Sequence, residues 1–348
     1  MDPANQPPRL YPEDDETAAP PQSVGQWLTQ TPPGCAVLAV VPTAALSAAL
    51  TFLSTNVFQS YGIMVFLASP FIGGLVANAM YTARRAPGEP QPGLVATWVT
   101  VVLAALSTLA LLVASALEGV ICVLMAAPLA LLMALIGAWL GSSLSHMIGE
   151  RNSARVLTVL VLLYPVGQAL EARYPVPVPA HRVVTRLRVQ ASPERVWQVL
   201  TRPVQYPAEV GWLFRAGVAY PTRTALQTTP DGRHQLICTY SQGAARLPVT
   251  SWQPGRELTF RVPDMPAPMQ ELSPYPRIHA PHLHGYFRVE QGTFRLLPQP
   301  DGSTVLEAST SYRHSIAPRA YWQLWSDYLL DDMHQRVLSA IQTQAQHE

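Results

Sequence analysis

The sequence predicts two units of different class: an α-helical transmembrane bundle, then an α+β domain in which a curved antiparallel sheet wraps a long C-terminal helix. Three observations carry this. Apolar runs near the ~20 residues an α-helix needs to cross a bilayer follow one another through the first half. Composition changes abruptly near residue 172, where strand-like alternation and turn signals replace them. Nearly all the charged residues, 13% of the chain, sit in the N-terminal tail, in two short loops or beyond Glu171.

Residues 1–33 are rich in Pro and Gln and carry the run Glu13, Asp14, Asp15, Glu16, so a disordered acidic tail is expected. The basic start and short apolar stretch of a signal peptide are missing. Four apolar runs follow, at 34–53, 61–81, 94–117 and 120–140. A fifth, 156–170, is shorter and contains Pro165 and Gln168. It either spans, for the five-span reading adopted here, or lies along the interface. Arg84 and Arg85 in one loop and Arg151 and Arg155 in another put those loops and the N-terminus in the cytoplasm of a cell membrane. With five spans the C-terminal domain is then extracytoplasmic.

Glu118 is flanked by apolar runs, but a tight turn between the third and fourth spans puts it at the water interface. Gly137 and Gly141 form a GxxxG spacing that lets helix backbones approach. Packing within the bundle is the first reading of that spacing and a homodimer contact the second.

After a linker at 173–181, the soluble unit is expected over 182–346. Val184 to Gln190 alternates as a half-buried strand. Ser192-Pro193-Glu194 then supplies an N-cap, a first-turn proline and an acid at the positive helix end. The helix through Thr201 buries Val196, Val199 and Leu200. Asp231-Gly232, Pro254-Gly255 and Asp301-Gly302 punctuate hairpins. From Pro318 to Gln344, Trp322, Trp325, Leu329, Met333, Val337 and Ile341 recur at helical spacing. Asp327, Asp331, Asp332 and His334 fall on what is read as the solvated face of that helix.

The segments VTRLRVQASPERVWQVLT, VTSWQPGRELTFRV, FRLLPQPDGSTVLEASTSYRH and YWQLWSDYLLDDMHQRVLSAI resemble the START/polyketide-cyclase-like (SRPBCC) superfamily, over roughly residues 182–345. With YGIMVFLASPFIGG and EGVICVLMAAPLALLMALIGAWLG in the spans, the whole chain is similar to bacterial membrane-anchored members. The resemblance implies a helix-grip fold whose apolar cavity, between sheet and last helix, holds a lipid, sterol, polyketide or similar molecule. Such a site needs apolar walls and a few orienting polar groups. The candidate walls are Leu258, Phe260, Leu306, Trp325 and Leu329, and the candidate polar groups Tyr240, Tyr286, Tyr312 and His314. For each alone, ordinary core packing is the competing reading.

With a net charge of +1 and no Lys among 23 basic residues, the chain offers no footprint for nucleic acid. Cys35, Cys122 and Cys238 form neither a disulfide framework nor a metal pattern. His279, His282 and His284 form an HxxHxH run lacking the further ligands a zinc site needs. Nucleophile-elbow, zincin, P-loop and dinucleotide motifs are missing, so no catalytic residue, metal or cofactor is assigned. The main expectation is a membrane-tethered domain that binds or transfers a hydrophobic molecule. Two alternatives remain: a cyclase- or aromatase-type enzyme using Glu290, Tyr286 or His284 inside the cavity, and a transport or signalling role of the bundle.

Overall fold

The computed structural model describes residues 23–83, 93–174, 176–264, 268–270, 275 and 285–347. The first 22 residues, Arg84, Arg85 and the HxxHxH run lie outside them. Five helices among the described residues are long and apolar enough to cross a membrane: Pro32–Val57, Met64–Thr82, Leu94–Ala114, Val120–Ile148 and Arg151–Arg173.

The bundle starts before the end of the expected tail. Ser23 accepts the Gln26 N–H at 3.2 Å and starts α1 (Val24–Gln30), and Thr31 caps Gly34 at 3.2 Å to start α2 (Pro32–Phe52). Gly34 allows the fold-back between them, because a Cβ there would sit 2.1 Å from the Trp27 carbonyl oxygen. A π-helical turn, Leu53–Val57, ends the first span; another, Met64–Ala68, leads into α3 (Ser69–Thr82). The third span is α4 (Leu94–Ala114).

The fourth span, α5 (Val120–Ile148), outruns the expected 120–140. The hydroxyls of Ser142, Ser143 and Ser145 donate to the carbonyls four residues back, at 2.9–3.1 Å, so these polar residues continue the helix. Gly149, at φ 78°, stops it.

The fifth run is also longer than its apolar core, forming the 24-residue helix α6 (Glu150–Arg173). At 1.5 Å per residue it is about 36 Å long, more than the hydrocarbon thickness. Gln168 and Tyr164 point inward, at 0% and 1% exposure, and Leu162, Leu163 and Val166 point outward at more than half. Ser54 Oγ joins the Tyr164 hydroxyl at 2.7 Å and donates to Gln168 Oε1 at 3.2 Å. A polar inside and greasy outside suits lipid, and water would penalise such an exposed apolar patch. At the far end Glu171 accepts the N–H groups of Ile63 and Met64 at 2.6 and 3.2 Å, capping the second span.

The remaining elements are β1 (His181–Val189), α7 (Pro193–Thr201), β2 (Val204–Gln205), α8 (Trp212–Arg215), β3 (Pro221–Thr228), β4 (His234–Tyr240), β5 (Gly243–Gln253), β6 (Glu257–Arg261), β7 (Phe287–Pro298), β8 (Thr304–His314) and α9 (Arg319–His347). The strands form one antiparallel sheet, ordered β1-β8-β7-β6-β5-β4-β3-β2. Gly232, Gly255 and Gly302 adopt φ of 77°, 70° and 80° at the hairpins where turns are expected. Helix α7 buries Val196, Val199 and Leu200, and with the C-terminal half of α9 it closes one end of the curved sheet.

At its other end the domain sits on the bundle. Ile121 and Met125 of α5 share a buried cluster with Leu213, Phe214, Val218 and Trp322. Burying each such side chain contributes about 1.5–3 kcal/mol. The Ala317 N–H donates to the Tyr61 carbonyl at 2.9 Å, the Tyr321 hydroxyl to the Met125 carbonyl, and the Phe66 ring meets Trp322 edge-on at 4.9 Å. The docking face is therefore the bundle end that carries the Gln59–Tyr61 and Glu118 turns.

Candidate functional site

Between the sheet and α9 lies a cavity of about 120 Å³. That is far above the ~10–15 Å³ that accommodates one water, so it is no packing flaw. Its walls are chiefly apolar, with Phe260 and Phe294 from the sheet and Val337 and Ile341 from α9. A second cavity of about 130 Å³ adjoins it and shares Tyr240, Val289, Leu330 and Met333. This one runs under Trp325 and Leu329 to Cys122 and Met125 on α5.

Polar groups enter at two places. On the β2–β4 side the Tyr206 hydroxyl donates to Thr224 Oγ1 at 2.8 Å, and Thr224 donates to Cys238 Sγ at 3.7 Å. Burial pushes the Tyr206 and Tyr240 phenols and the Cys238 thiol up, so all three stay protonated at neutral pH. On α9, Thr185 gives its only proton to Asp331, so the 2.9 Å contact from Thr185 Oγ1 to His334 Nδ1 requires an Nδ1–H donor. His334 Nε2 then accepts from the Thr310 hydroxyl at 2.7 Å. Burial lowers this imidazole to about 4, which keeps it in that neutral tautomer.

Five of the nine candidate residues line the cavities: Tyr240, Phe260, His314, Trp325 and Leu329. The His314 imidazole is lowered by burial, and its Nδ1 is buried without a hydrogen-bond partner among the described residues. Four candidates lie elsewhere. Leu258 and Leu306 are fully buried in the solid cluster with Val189 and Leu338, where α7 closes the grip. Tyr312 is fully buried and donates to Asp327 Oδ1 at 2.6 Å, fastening α9 to the sheet. Tyr286 stands at the junction of the two units, donating to the Gln59 carbonyl, with its ring 5.1 Å from that of Tyr61.

The polar ridge of α9 is not a solvated face. Asp327 and Asp331 accept hydroxyls of the sheet, and His334 is 9% exposed because β1 and β8 present Thr185 and Thr310 to it. Glu290 points away from the cavities into a 2.7 Å ion pair with Arg313. Glu118, expected at the water interface, is 7% exposed and accepts the Tyr61 hydroxyl at 2.9 Å, because the docked domain covers that turn. Gly137 and Gly141 face α3: a Cβ on Gly137 would lie 2.1 Å from the Phe71 carbonyl oxygen, and one on Gly141 3.1 Å from Leu75. That face is occupied by α3 within the bundle, the first of the two readings of the spacing.

The sequence does not mark Tyr206, Cys238 or His334 as cavity residues. Cys238 and Tyr240 share a face of β4 by alternation, which is a usable signal. Tyr206 lies just past a two-residue strand and gives none.

A curved antiparallel sheet gripping one long C-terminal helix decides the architecture. The C-terminal unit has the helix-grip fold. Solved structures similar to this half include a Bacillus thuringiensis protein (13% identity, 47% of this chain and 97% of that one, TM-score 0.29). They also include a Thermus thermophilus protein (14%, 47% and 97%, TM-score 0.27) and norcoclaurine synthase of Thalictrum flavum (15%, 50% and 99%, TM-score 0.28). No protein-family model matches the sequence, and no curated protein does.

Proposed function

We propose that the protein is a membrane-tethered binder that holds or passes on an apolar small molecule or lipid in the linked cavities of its helix-grip domain. The observation that carries this reading is the adjacency of two apolar cavities, which share Tyr240, Val289, Leu330 and Met333 and together extend from the centre of the grip to the side of α5. Tethering keeps their mouth at the bilayer, where such a ligand is concentrated. The titratable groups on the walls support holding over catalysis. A general acid or base works best with a pKa near the operating pH, whereas here the phenols and thiol are raised and the imidazoles lowered.

Met333 borders both cavities, so Met333→Trp puts an indole where they join. The full-length wild type, purified in mild detergent, should carry an apolar species at about one per chain by native mass spectrometry. Met333→Trp should retain about a tenth of it or less, a loss of ~1.4 kcal/mol or more. Leu324→Trp, at a 70% exposed position of the same helix, should retain it all. Equal amounts from all three proteins, or none from the wild type, would refute the carrier reading.

We also infer that the N-terminus is cytoplasmic and the domain extracytoplasmic. The arginine loops support this through the positive-inside rule, and the domain docks on the opposite, arginine-free turns. Protease added to intact spheroplasts should remove the domain. Protection until the membrane is lysed would reverse the orientation.

A further inference from the structure

A third cavity, of about 110 Å³, lies inside the helical bundle itself. One wall is a stripe of hydroxyls on α2 and the π-helical turn that follows it: Thr43, Ser47, Thr51 and Thr55, four residues apart and each less than a tenth exposed. At 1.5 Å per residue the stripe is about 18 Å long. Helix α3 offers glycine opposite it, with Ser47 Oγ 2.7 Å from where a Cβ of Gly73 would be. Thr51 and Thr55 donate back to the carbonyls of Ser47 and Thr51 at 2.9 and 3.0 Å, which leaves the Thr51 oxygen to accept, while Thr55 Oγ1 accepts from the Asn56 amide at 2.9 Å. Thr43 Oγ1 is buried without a partner among the described residues.

The cavity continues toward the domain. Its upper end is bounded by Glu118 and Trp322, and Trp322, Cys122 and Ile316 also bound the junction cavity beneath the grip. Trp322 Nε1 is a second buried polar atom on this wall without a partner among the described residues. Buried polar atoms are ordinarily hydrogen-bonded, so Thr43 Oγ1 at one end of the stripe and Trp322 Nε1 at the other each mark a place where a ligand's polar group is paired. The described lining contains no Arg or His and one carboxylate, a poor setting for an anionic head.

We propose that the bundle cavity is a second binding site, in series with the helix-grip cavities, for an uncharged apolar molecule that carries a hydroxyl head. Thr43 and Ser47 on the stripe bond the hydroxyl, the alanine- and leucine-lined walls of α4 and α5 take the apolar body, and the Trp322 indole N–H offers a second hydroxyl station at the end nearest the domain. Only the onward step from Trp322 into the domain rests on the carrier reading. The site itself does not.

The test uses the full-length protein in nanodiscs with a diazirine-bearing long-chain alcohol, and with the fatty acid of the same chain, followed by ultraviolet cross-linking and peptide mapping. The alcohol should label inward positions of α2, α4 and α5. The acid should label them about tenfold less, and Thr43→Val with Ser47→Ala, near-isosteric changes that keep the fold, should cut the alcohol signal about fivefold. Labelling confined to lipid-facing positions, or equal for acid and alcohol and indifferent to the hydroxyls, overturns the site. Labelling of the bundle but not the domain keeps this site and overturns the carrier reading. Labelling of the domain but not the bundle does the reverse.

Discussion

Gly137→Leu is expected to leave little or no monodisperse, folded protein, while Gly93→Ala behaves as wild type. The helices α3 and α5 touch backbone to backbone at two reciprocal glycines. A Cβ on Gly74 would lie 1.9 Å from the Ala134 carbonyl oxygen, and one on Gly137 lies 2.1 Å from that of Phe71. Backbone cannot swing aside as a side-chain tip can, so the helices must part by more than an ångström. Parting also strips van der Waals contact from Ala134 and Ala138, which are almost fully buried in the seam. Overpacking of this kind costs about 1–3 kcal/mol in soluble cores, and a four-carbon side chain against backbone belongs at or beyond the upper end. Gly93, with nothing within 4 Å of its virtual Cβ, controls for the loss of glycine itself. Size-exclusion profiles and melting temperatures in one detergent read the effect. A Gly137→Leu protein that melts with the wild type would mean that α3 and α5 are not packed this way.

The same seam shows what the sequence could and could not convey. The GxxxG spacing announces close approach, yet spacing alone does not name the partner; Phe71 and Leu75 do so only once α3 is folded alongside. The fifth run is ambiguous by its short length and because Pro165 and Gln168 read as interruptions. In the bundle Gln168 is an inward residue, bonded by Ser54 over a hundred positions earlier, and such a partner has no local signature. Hairpins were legible because a left-handed glycine is a local requirement, met at Gly232, Gly255 and Gly302.

On α9 periodicity found the helix but misread its roles. The stripe Trp325, Leu329, Met333 and Val337 borders the cavities, and Leu330 and His334, one residue on, border them too while pressing, with Leu338, deepest against the sheet. A histidine and two aspartates on that buried face look solvated until the hydroxyls of β1 and β8 come opposite them. Leu258 and Leu306 fail as cavity residues for the converse reason: inward strand positions are alike in sequence, and only the placing of α7 separates filled core from open space.

That buried histidine makes stability depend on pH in a definite direction. In the unfolded chain the imidazole takes its proton near the ordinary 6.5, while in the folded domain His334 resists until about 4, because burial outweighs the favourable charge of Asp331. Above 6.5 both forms are neutral and the full stability is present. As pH falls from 6.5 toward 4 only the unfolded chain gains the proton, so stability is lost across that window, and below it both forms are charged and the loss stops. A gap of this size corresponds to about 3 kcal/mol. His314, also lowered by burial, acts in the same direction. Asp332, raised by burial and by the charge of Asp331, works against the trend as pH drops through the carboxylate range. The melting temperature of the full chain should therefore fall steadily between pH 7 and pH 4.5. His334→Gln, whose amide can still donate toward Thr185 and accept from Thr310, should lose most of that slope while keeping its melting temperature near pH 7 within the cost of one altered hydrogen bond, about 1 kcal/mol. An unchanged slope in His334→Gln would show that the titration lies elsewhere, and that the hydroxyl-bonded neutral imidazole on the cavity wall is not the group that resists the proton.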